Sequence, residues 1–598
     1  MYAVTGIISD VNLEVPSKVI SYFQDIYPNR FIYNVKHKNF NVTILSLKKI
    51  ENKRFIFETD DEICFVLCEI SNKQEVSKIA QININEINSN EELLFIAYKN
   101  VGKKVFEQCY GKWIFIIKNK NNAKIELWRD HIGMCSFYFY IKENSLYFSS
   151  HLGTLLQYNN CPKYLNKMLI ASLIVGYTGN ANETIYKEIY KAPAASFVII
   201  TNFSNYEIHR YWQPKTKLIK YNNKTDYLEH FKNILNQIIE ENVNNDDVIA
   251  STLSSGLDST FLTSYLANYL QEKKIYAITS VPLKEFKEIS TGRRYGNEEP
   301  LSEVIVKKYS NIIHLKDDAT SISLIDTLHK SLKIHGYPVR NAVNQYWILS
   351  LFEKLAINKV NKLFIAQMGN LTISWPYLEN TSNTLSKIIK ILSIYYPSKK
   401  IIKQYEGYFN KNFLKANSLH RYLWKNNYFP YYYSWNNSQK RKYFFEQLLL
   451  QGFSSWNEKG IFYGINVIDP FADPRIIEYC FSIPENIFKN NEGTRLFVKS
   501  IAKHYVSEEI INNKKKGIQA ADVSIRIENE IRKIQQILEL STKSCELNEI
   551  FNTTEIYRKA FEKKIKNHVF LRILLITLFY QIATSNEHLR IIEKNKIL

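Results

Sequence analysis

Val248-Ile249-Ala250 runs into Ser254-Ser255-Gly256-Leu257-Asp258-Ser259-Thr260, and Phe261-Leu262-Thr263-Ser264-Tyr265-Leu266 follows. This reads as an apolar strand, a tight turn of small and hydroxyl residues, and then a helix. Such a turn aims several backbone N–H groups at one point, where the positive end of the helix dipole adds to them, so it suits a phosphate or pyrophosphate. Ser254, Ser255, Ser259 and Thr260 add hydroxyl donors, and Asp258 can hold a magnesium ion against the phosphates. The plainer alternative is a Ser/Gly turn that only caps a helix.

Working outward, short apolar strands are expected at 248–251, 275–281 and 362–366, with helical patterns between them from about residue 225 onward. Strands alternating with helices predict a doubly wound α/β domain with phosphate chemistry at the carboxyl edge of a parallel sheet. Residues 1–215 read differently. Alternating runs such as Lys112-Trp113-Ile114-Phe115-Ile116-Ile117 and Ser145-Leu146-Tyr147-Phe148-Ser149 are separated by polar turns and predict a β-rich α+β domain. The expected boundary lies at Tyr211-Trp212-Gln213-Pro214, giving domains 1–215 and 225–598. The aromatic, irregular stretch 375–450 reads as an insertion or helical lid in a mostly helical C-terminal part.

The 598 residues are too many for one core. The formal net charge of +20 could draw nucleic acid, an anionic membrane or an acidic peptide. The lysines are spread over all regions with no arginine-rich arm, so specific nucleic-acid binding is not expected, and an acidic peptide substrate or a small acidic partner fits the charge at least as well. Seven scattered cysteines without a signal peptide agree with a reducing cytoplasm. Cys64 and Cys68 read as buried thiols on one strand face. Val569–Ala583, interrupted by Arg572, is too short to span a bilayer and reads as a buried helix.

The heptapeptide resembles the Ser-Gly-Gly-x-Asp-Ser pyrophosphate loop of ATP pyrophosphatases such as asparagine synthetase, with Ser255 in place of a Gly. The rest of the chain resembles the same family. Gly111-Lys112-Trp113-Ile114-Phe115, Arg129-Asp130-His131-Ile132-Gly133, Tyr138-Phe139-Tyr140 and Tyr147-Phe148-Ser149-Ser150 match its class II glutaminase domain in order. Ala192-Pro193 and Tyr211-Trp212 match the end of that domain. Asp469-Pro470-Phe471-Ala472-Asp473 and Asn513-Lys514-Lys515-Lys516-Gly517-Ile518 match turns of its synthetase domain. The resemblance implies an Ntn-hydrolase-like β-sandwich with helices, followed by an ATP-pyrophosphatase domain that uses ATP and Mg2+. It implies ATP contacts from Ser254, Ser255, Gly256, Leu257, Asp258, Ser259 and Thr260, from Gln367 and Gly369, and from Lys515, which would neutralise charge on the leaving pyrophosphate. Asp258 and Asn370 would be the metal ligands.

The departures carry as much information. The family's glutaminase nucleophile is a Cys exposed after removal of Met1, but this sequence begins Met1-Tyr2-Ala3-Val4-Thr5, so no glutaminase nucleophile is expected. A phenol of ordinary pKa cannot replace a thiolate, and Thr5 has no evident base. In Gln367-Met368-Gly369-Asn370, Asn370 stands where the family carries a magnesium-binding Asp, and an amide oxygen supplies no charge. Gln367 stands where β-lactam synthetases carry a Tyr, and Gln cannot take a proton. Glu298, Glu299 and Asp522 are the candidate general bases. The expectation is an AMP-forming amide ligase of the lasso-peptide macrocyclase type, acting on a peptide with a leader peptidase or precursor-recognition protein as partner. An ammonia-dependent asparagine synthetase or another natural-product amide synthetase is the alternative, with a tRNA-modifying pyrophosphatase or a non-catalytic partner protein beyond it.

Overall fold

The computed structural model describes residues 2–50, 53–288, 294–375, 402–426, 437–451, 453–491, 493–562 and 564–584. The N-terminal half holds twelve strands: β1 (Tyr2–Ser9), β2 (Phe31–His37), β3 (Phe40–Ser46), β4 (Ile56–Glu58), β5 (Glu62–Ile70), β6 (Gly111–Asn119), β7 (Lys124–Arg129), β8 (Tyr138–Lys142), β9 (Ser145–Ser149), β10 (Tyr190–Lys191), β11 (Ser196–Thr201) and β12 (Asn205–Arg210). They form two antiparallel sheets, ordered β10-β8-β9-β1-β3-β2 and β12-β11-β7-β6-β5-β4. Period-two alternation dictates the layering. Val4, Ile8, Phe40 and Val42 from the first sheet meet Phe65, Leu67, Ile114 and Ile116 from the second. The intervening residues Cys64, Val66, Cys68, Trp113 and Phe115 point the other way, onto the helices Lys73–Ile79 and Asn90–Val101. The thiols of Cys64 and Cys68 are buried on that face, and burial drives both pKa values up, which keeps them protonated and inert.

The outer face of the first sheet is covered by helices from both halves of the chain. Ile7, Tyr138, Tyr140 and Tyr147 share one core with helix Lys167–Ile174, helix Leu324–His335 and the late helix Asn567–Thr584. The sandwich is therefore an α+β layer structure whose outermost layer is completed by the C-terminal half. The run that was expected to be a buried helix is one, and among the described residues no helix is long and apolar enough to cross a membrane.

The second half is built on a parallel sheet of β13 (Ile249–Thr252), β14 (Ile275–Ser280), β16 (Ile312–Asp317), β17 (Lys362–Phe364) and β18 (Asn466–Ile468), in the order β16-β14-β13-β17-β18. The three expected strands are there. Ile312–Asp317, with its charged residues, and the late Asn466–Ile468 were not legible. Neighbouring residues of β13 face opposite helical layers: Ile249 packs with helices Lys224–Asn242 and Leu257–Tyr269, and Ala250 with helix Gln345–Ile357. The order reverses beside β13, whose neighbours are β14 on one side and β17 on the other, so a crevice opens at their carboxyl ends. The two-residue strand β15 (Arg294–Tyr295) runs parallel to Lys516–Gly517.

The expected lid at 375–450 falls partly on residues 376–401 and 427–436, which lie outside the described residues. Its described parts pack into the body. Leu423 of helix Leu419–Lys425 sits against Leu169, Val175 and Tyr177 of the N-terminal half. Arg441 of helix Asn437–Gln451 donates to the carbonyls of Leu371, Thr372 and Cys480.

Candidate active site

The Ser254–Ser259 loop leaves the end of β13 and opens into a cavity of about 620 Å³. Its other walls come from the ends of β14 and β17, from Gln367 and Asn370, and from Lys514-Lys515-Lys516-Gly517. The loop holds its own shape. Ser254 and Ser259 share a hydroxyl–hydroxyl bond of 2.7 Å, the Gly256 N–H donates to Ser254 Oγ at 3.1 Å, and Gly256 is the residue ahead of the helix. The helix N-terminus beyond it supplies the positive dipole end that an anion needs. Thr260 is turned away: it is 1 % exposed and its hydroxyl donates to the Ser254 carbonyl at 2.9 Å, so it braces the turn from behind and does not line the cavity. Leu257 lines the cavity with an apolar surface.

Asp258 sits at the first turn of that helix and is buried. One of its oxygens takes a hydrogen bond from the Ser374 hydroxyl and an ion pair from Arg495 at 3.2 Å. Neither Ser374 nor Arg495 stood out as a partner of Asp258 in the sequence, since both come from far along the chain. Gly369 lies behind the carboxylate, not in the cavity wall: a Cβ there would stand 2.9 Å from Asp258 Cγ. Asp469, at the family-like Pro-Phe turn, accepts the Met368 N–H at 2.9 Å and so fixes the Gln367–Asn370 segment. Among the described residues no cluster of three or more His, Cys, Asp or Glu could hold a metal. Asp258 and the Asn370 amide fit a magnesium held by one carboxylate and the ligand's own phosphates, the usual pattern for that ion.

The three candidate bases separate. Asp522 is fully engaged, accepting from the Tyr346 hydroxyl at 2.5 Å, from the Leu283 N–H at 3.0 Å and from Arg526 at 2.8 Å. Glu299 pairs with Lys316 at 2.6 Å. Glu298 remains in the cavity wall, where it accepts the Ser255 hydroxyl at 2.6 Å, and burial raises its pKa. Gly517 presses on it: a Cβ at 517 would come within 2.0 Å of Glu298 Oε1. The β15 ladder and this contact pin the lysine-rich strand against the Ser255 side of the loop. Lys515 itself is exposed and lines the cavity.

In the sandwich the expected lack of a glutaminase nucleophile meets two observations. Tyr2 heads β1, takes a hydrogen bond from Lys53 at 2.7 Å, and burial pushes its pKa up to about 12, which keeps the phenol protonated. Thr5 is in the core, with its hydroxyl committed to the Phe148 carbonyl and to Tyr158.

A second cavity of about 850 Å³ lies between the halves of the molecule, and sequence reading missed it. Gln367, Trp456 and Gln519 line both cavities. Beside it Ser136, Glu458, His335 and Lys459 form a buried chain. Glu458 accepts from the Ser136 hydroxyl and from His335 Nδ1, while Lys459 lies 3.0 Å from His335 Nε2. Burial lowers the Lys459 pKa to about 7; its ammonium form has only protons to give, so His335 Nε2 accepts from it and the imidazole is neutral. Burial, reinforced by the Lys459 ammonium, drives the His335 pKa down to about 4.

Residues 34–212 match the glutamine amidotransferase domain family, and residues 408–582 match the asparagine synthase family. The putative glutamine-hydrolysing asparagine synthetase 2 of Methanocaldococcus jannaschii is 24% identical over 273 residues, 42% of this chain and 52% of that protein. Amidase chry2 of Gibberella zeae is 20% identical over 188 residues, 31% of this chain and 27% of its own. Glutamine-hydrolysing asparagine synthetase 1 of Bacillus subtilis is 20% identical over 517 residues, 81% and 80% of the two chains. The matched part of this chain spans about half the length of the first of these relatives and about a quarter of the second. The chain thus matches an amidotransferase domain and an asparagine synthase domain, in that order, and resembles these asparagine synthetases at 20–24% identity.

Proposed function

We propose that this chain is an ATP-dependent carbon–nitrogen ligase that forms an acyl-adenylate. A substrate carboxylate attacks the α-phosphorus, the bond between that phosphorus and the bridging oxygen breaks, and pyrophosphate leaves. An amine then attacks the acyl carbon and expels AMP, giving up its proton. The observation that carries this reading is the Ser254–Ser259 loop at the sheet's reversal point, open to a cavity that Lys515 also lines. The loop's N–H groups and hydroxyls bind phosphate oxygens, and Lys515 stands ready to take up the charge that develops on the pyrophosphate, which favours the transition state over the ground state. Asp258 would hold a magnesium ion, which would add charge neutralisation at the phosphates. Glu298 is suited to hold the amine proton because its raised pKa brings it nearer to neutrality.

The finer reading is a lasso-type macrocyclase, in which an Asp or Glu side chain of a peptide is activated and the peptide's own amine attacks it. Support comes from the protonated Tyr2 phenol and the committed Thr5 hydroxyl, which offer no route to glutamine-derived ammonia. A precursor-recognition protein or leader peptidase would then be a partner. The second reading is an ammonia-dependent asparagine synthetase, supported by the similarity to asparagine synthetases, although those relatives are named as glutamine-hydrolysing.

The test is incubation with magnesium-ATP and a candidate precursor peptide, followed by AMP chromatography and peptide mass. Peptide-dependent AMP with loss of one water supports macrocyclisation. AMP only with aspartate and ammonia turns the reading to asparagine synthesis, and no AMP with any carboxylate refutes the ligase.

A further inference from the structure

The cavity between the two halves is built with more positive charge than its own acids answer. Arg129 is buried, and its guanidinium is spent on the carbonyls of Cys135, Gly133 and Ala192, with no acid paired to it among the described residues. Lys459, 1 % exposed, donates to Ser455 Oγ at 2.9 Å and to His335. Lys191 on β10 lies directly opposite Tyr138 on β8, a cross-strand pair whose side chains share a face, and both line the cavity. Burial lowers the Lys459 pKa to about 7, so at neutral pH it carries only part of a charge, and the cluster's carboxylate, Glu458, answers Lys459 and Lys191. The cavity's other acids are committed elsewhere, Glu446 to Arg210 at 2.8 Å and Glu183 to the Tyr422 hydroxyl and Asn166.

The second observation is the Tyr138 hydroxyl. Tyr138 is 3 % exposed; no hydrogen bond of ordinary geometry reaches its oxygen among the described residues, and the Ser136 and Tyr337 hydroxyls and the Glu458 carboxylate are its electrostatic neighbours. A buried hydroxyl left unpaired costs free energy unless a ligand or water takes it up. Lys191, its cross-strand partner, makes no ion pair among the described residues; burial and then the Arg129 charge push its pKa down to about 8 against the pull of the Glu458 carboxylate. An O–H donor next to an ammonium, in a cavity with surplus positive charge, is the donor set for a carboxylate.

We infer that the interdomain cavity is the substrate's own subsite and that Lys191 and Tyr138 hold a carboxylate of the substrate other than the one that is activated. This rests on the adenylation reading for what happens to the far end of the ligand. Gln367, Trp456 and Gln519 border both cavities, so a molecule anchored at Lys191 can extend its second carboxyl toward the Ser254–Ser259 loop. The substrate class is then a compound with at least two carboxylates, and the volume of about 850 Å³ accommodates a short acidic peptide segment as well as a small dicarboxylic acid.

The test titrates the full chain without nucleotide, by calorimetry, with the tripeptide Glu-Gly-Glu, with Gln-Gly-Gln, and with glutarate. Glu-Gly-Glu is expected to bind at least tenfold more tightly than Gln-Gly-Gln. Lys191→Met, which keeps the apolar stem, and Tyr138→Phe, which removes only the hydroxyl, are each expected to weaken it fivefold or more. Asp258→Ala is expected to leave it unchanged. Binding of glutarate as tight as that of the peptide identifies a small dicarboxylic acid, and peptide-only binding identifies an acidic peptide. Equal affinity for the two peptides, no binding of either, or a loss in Asp258→Ala without one in Lys191→Met overturns the inference. Pyrophosphate–ATP exchange measured on the same protein keeps the two readings apart. Carboxylate binding without exchange refutes the ligase alone, and exchange indifferent to Lys191→Met refutes the subsite alone.

Discussion

Gly517→Ala, a single added methyl, should disable the phosphate loop from a distance of more than 250 residues along the chain. The new Cβ would stand 2.0 Å from Glu298 Oε1 and 2.6 Å from its Cδ, far inside van der Waals contact. Glu298 must swing away and so release the Ser255 hydroxyl it now accepts at 2.6 Å. Overpacking costs about 1–3 kcal/mol, and a hydrogen bond to a charged group contributes ~1.5–3 kcal/mol. Glu298 is half-buried, so the lower ends apply and the local cost is about 2.5 kcal/mol, roughly a 70-fold loss of ATP affinity. Calorimetric titration with magnesium-ATP reads it. Glu298→Ala removes the obstructing carboxyl, so the same Gly517→Ala change made in that background should cost less than threefold. Two residues in direct contact must be non-additive in this way. Additive losses across the cycle, or an unchanged affinity in Gly517→Ala alone, would refute the account of how the lysine strand and the loop are held together.

Other outcomes follow from the same geometry. Asp258→Ala should abolish AMP formation, and wild-type rates would remove the magnesium-phosphate assignment. Lys515→Ala should lower kcat much more than it raises the KM for ATP, whereas equal effects would mean simple ground-state binding. Glu458→Ala should destabilise the chain by about 3–5 kcal/mol, because it leaves buried His335 and Ser136 without their acceptor and buried Lys459 without its counter-charge, and chemical unfolding measures this. His335 has a folded pKa near 4 against an ordinary 6.5, so the unfolded chain takes up its proton first as pH falls. The resulting loss begins below pH 6.5, is complete near pH 4 and reaches roughly 3 kcal/mol at most. His335→Gln should flatten the unfolding profile over that window, and an unchanged slope would show that the imidazole is not held neutral.

The sequence by itself determined the elements whose signal is local. Strand alternation in residues 1–215 dictated the two-faced strands, and Cys64 and Cys68 fall on one face for that reason alone. A strand-turn-helix of small residues dictated the phosphate loop, since chain geometry and the helix dipole act within a dozen residues. The central strands β13, β14 and β17 were legible because a strand covered on both faces reads as an unbroken apolar run. The edge strand β16, with His314, Lys316 and Asp317, carries no such run and was hidden. Only tertiary structure could bring Arg495 and Ser374 to Asp258, press Gly517 onto Glu298, or commit Asp522 to Tyr346 and Arg526 and so remove it from the candidate bases. It alone turned Thr260 behind the loop and joined Tyr138 with Lys191 at the border of the two halves. Hydrogen bonds and charges act over a few ångströms in space, and partners hundreds of residues apart leave no periodic trace in the sequence between them.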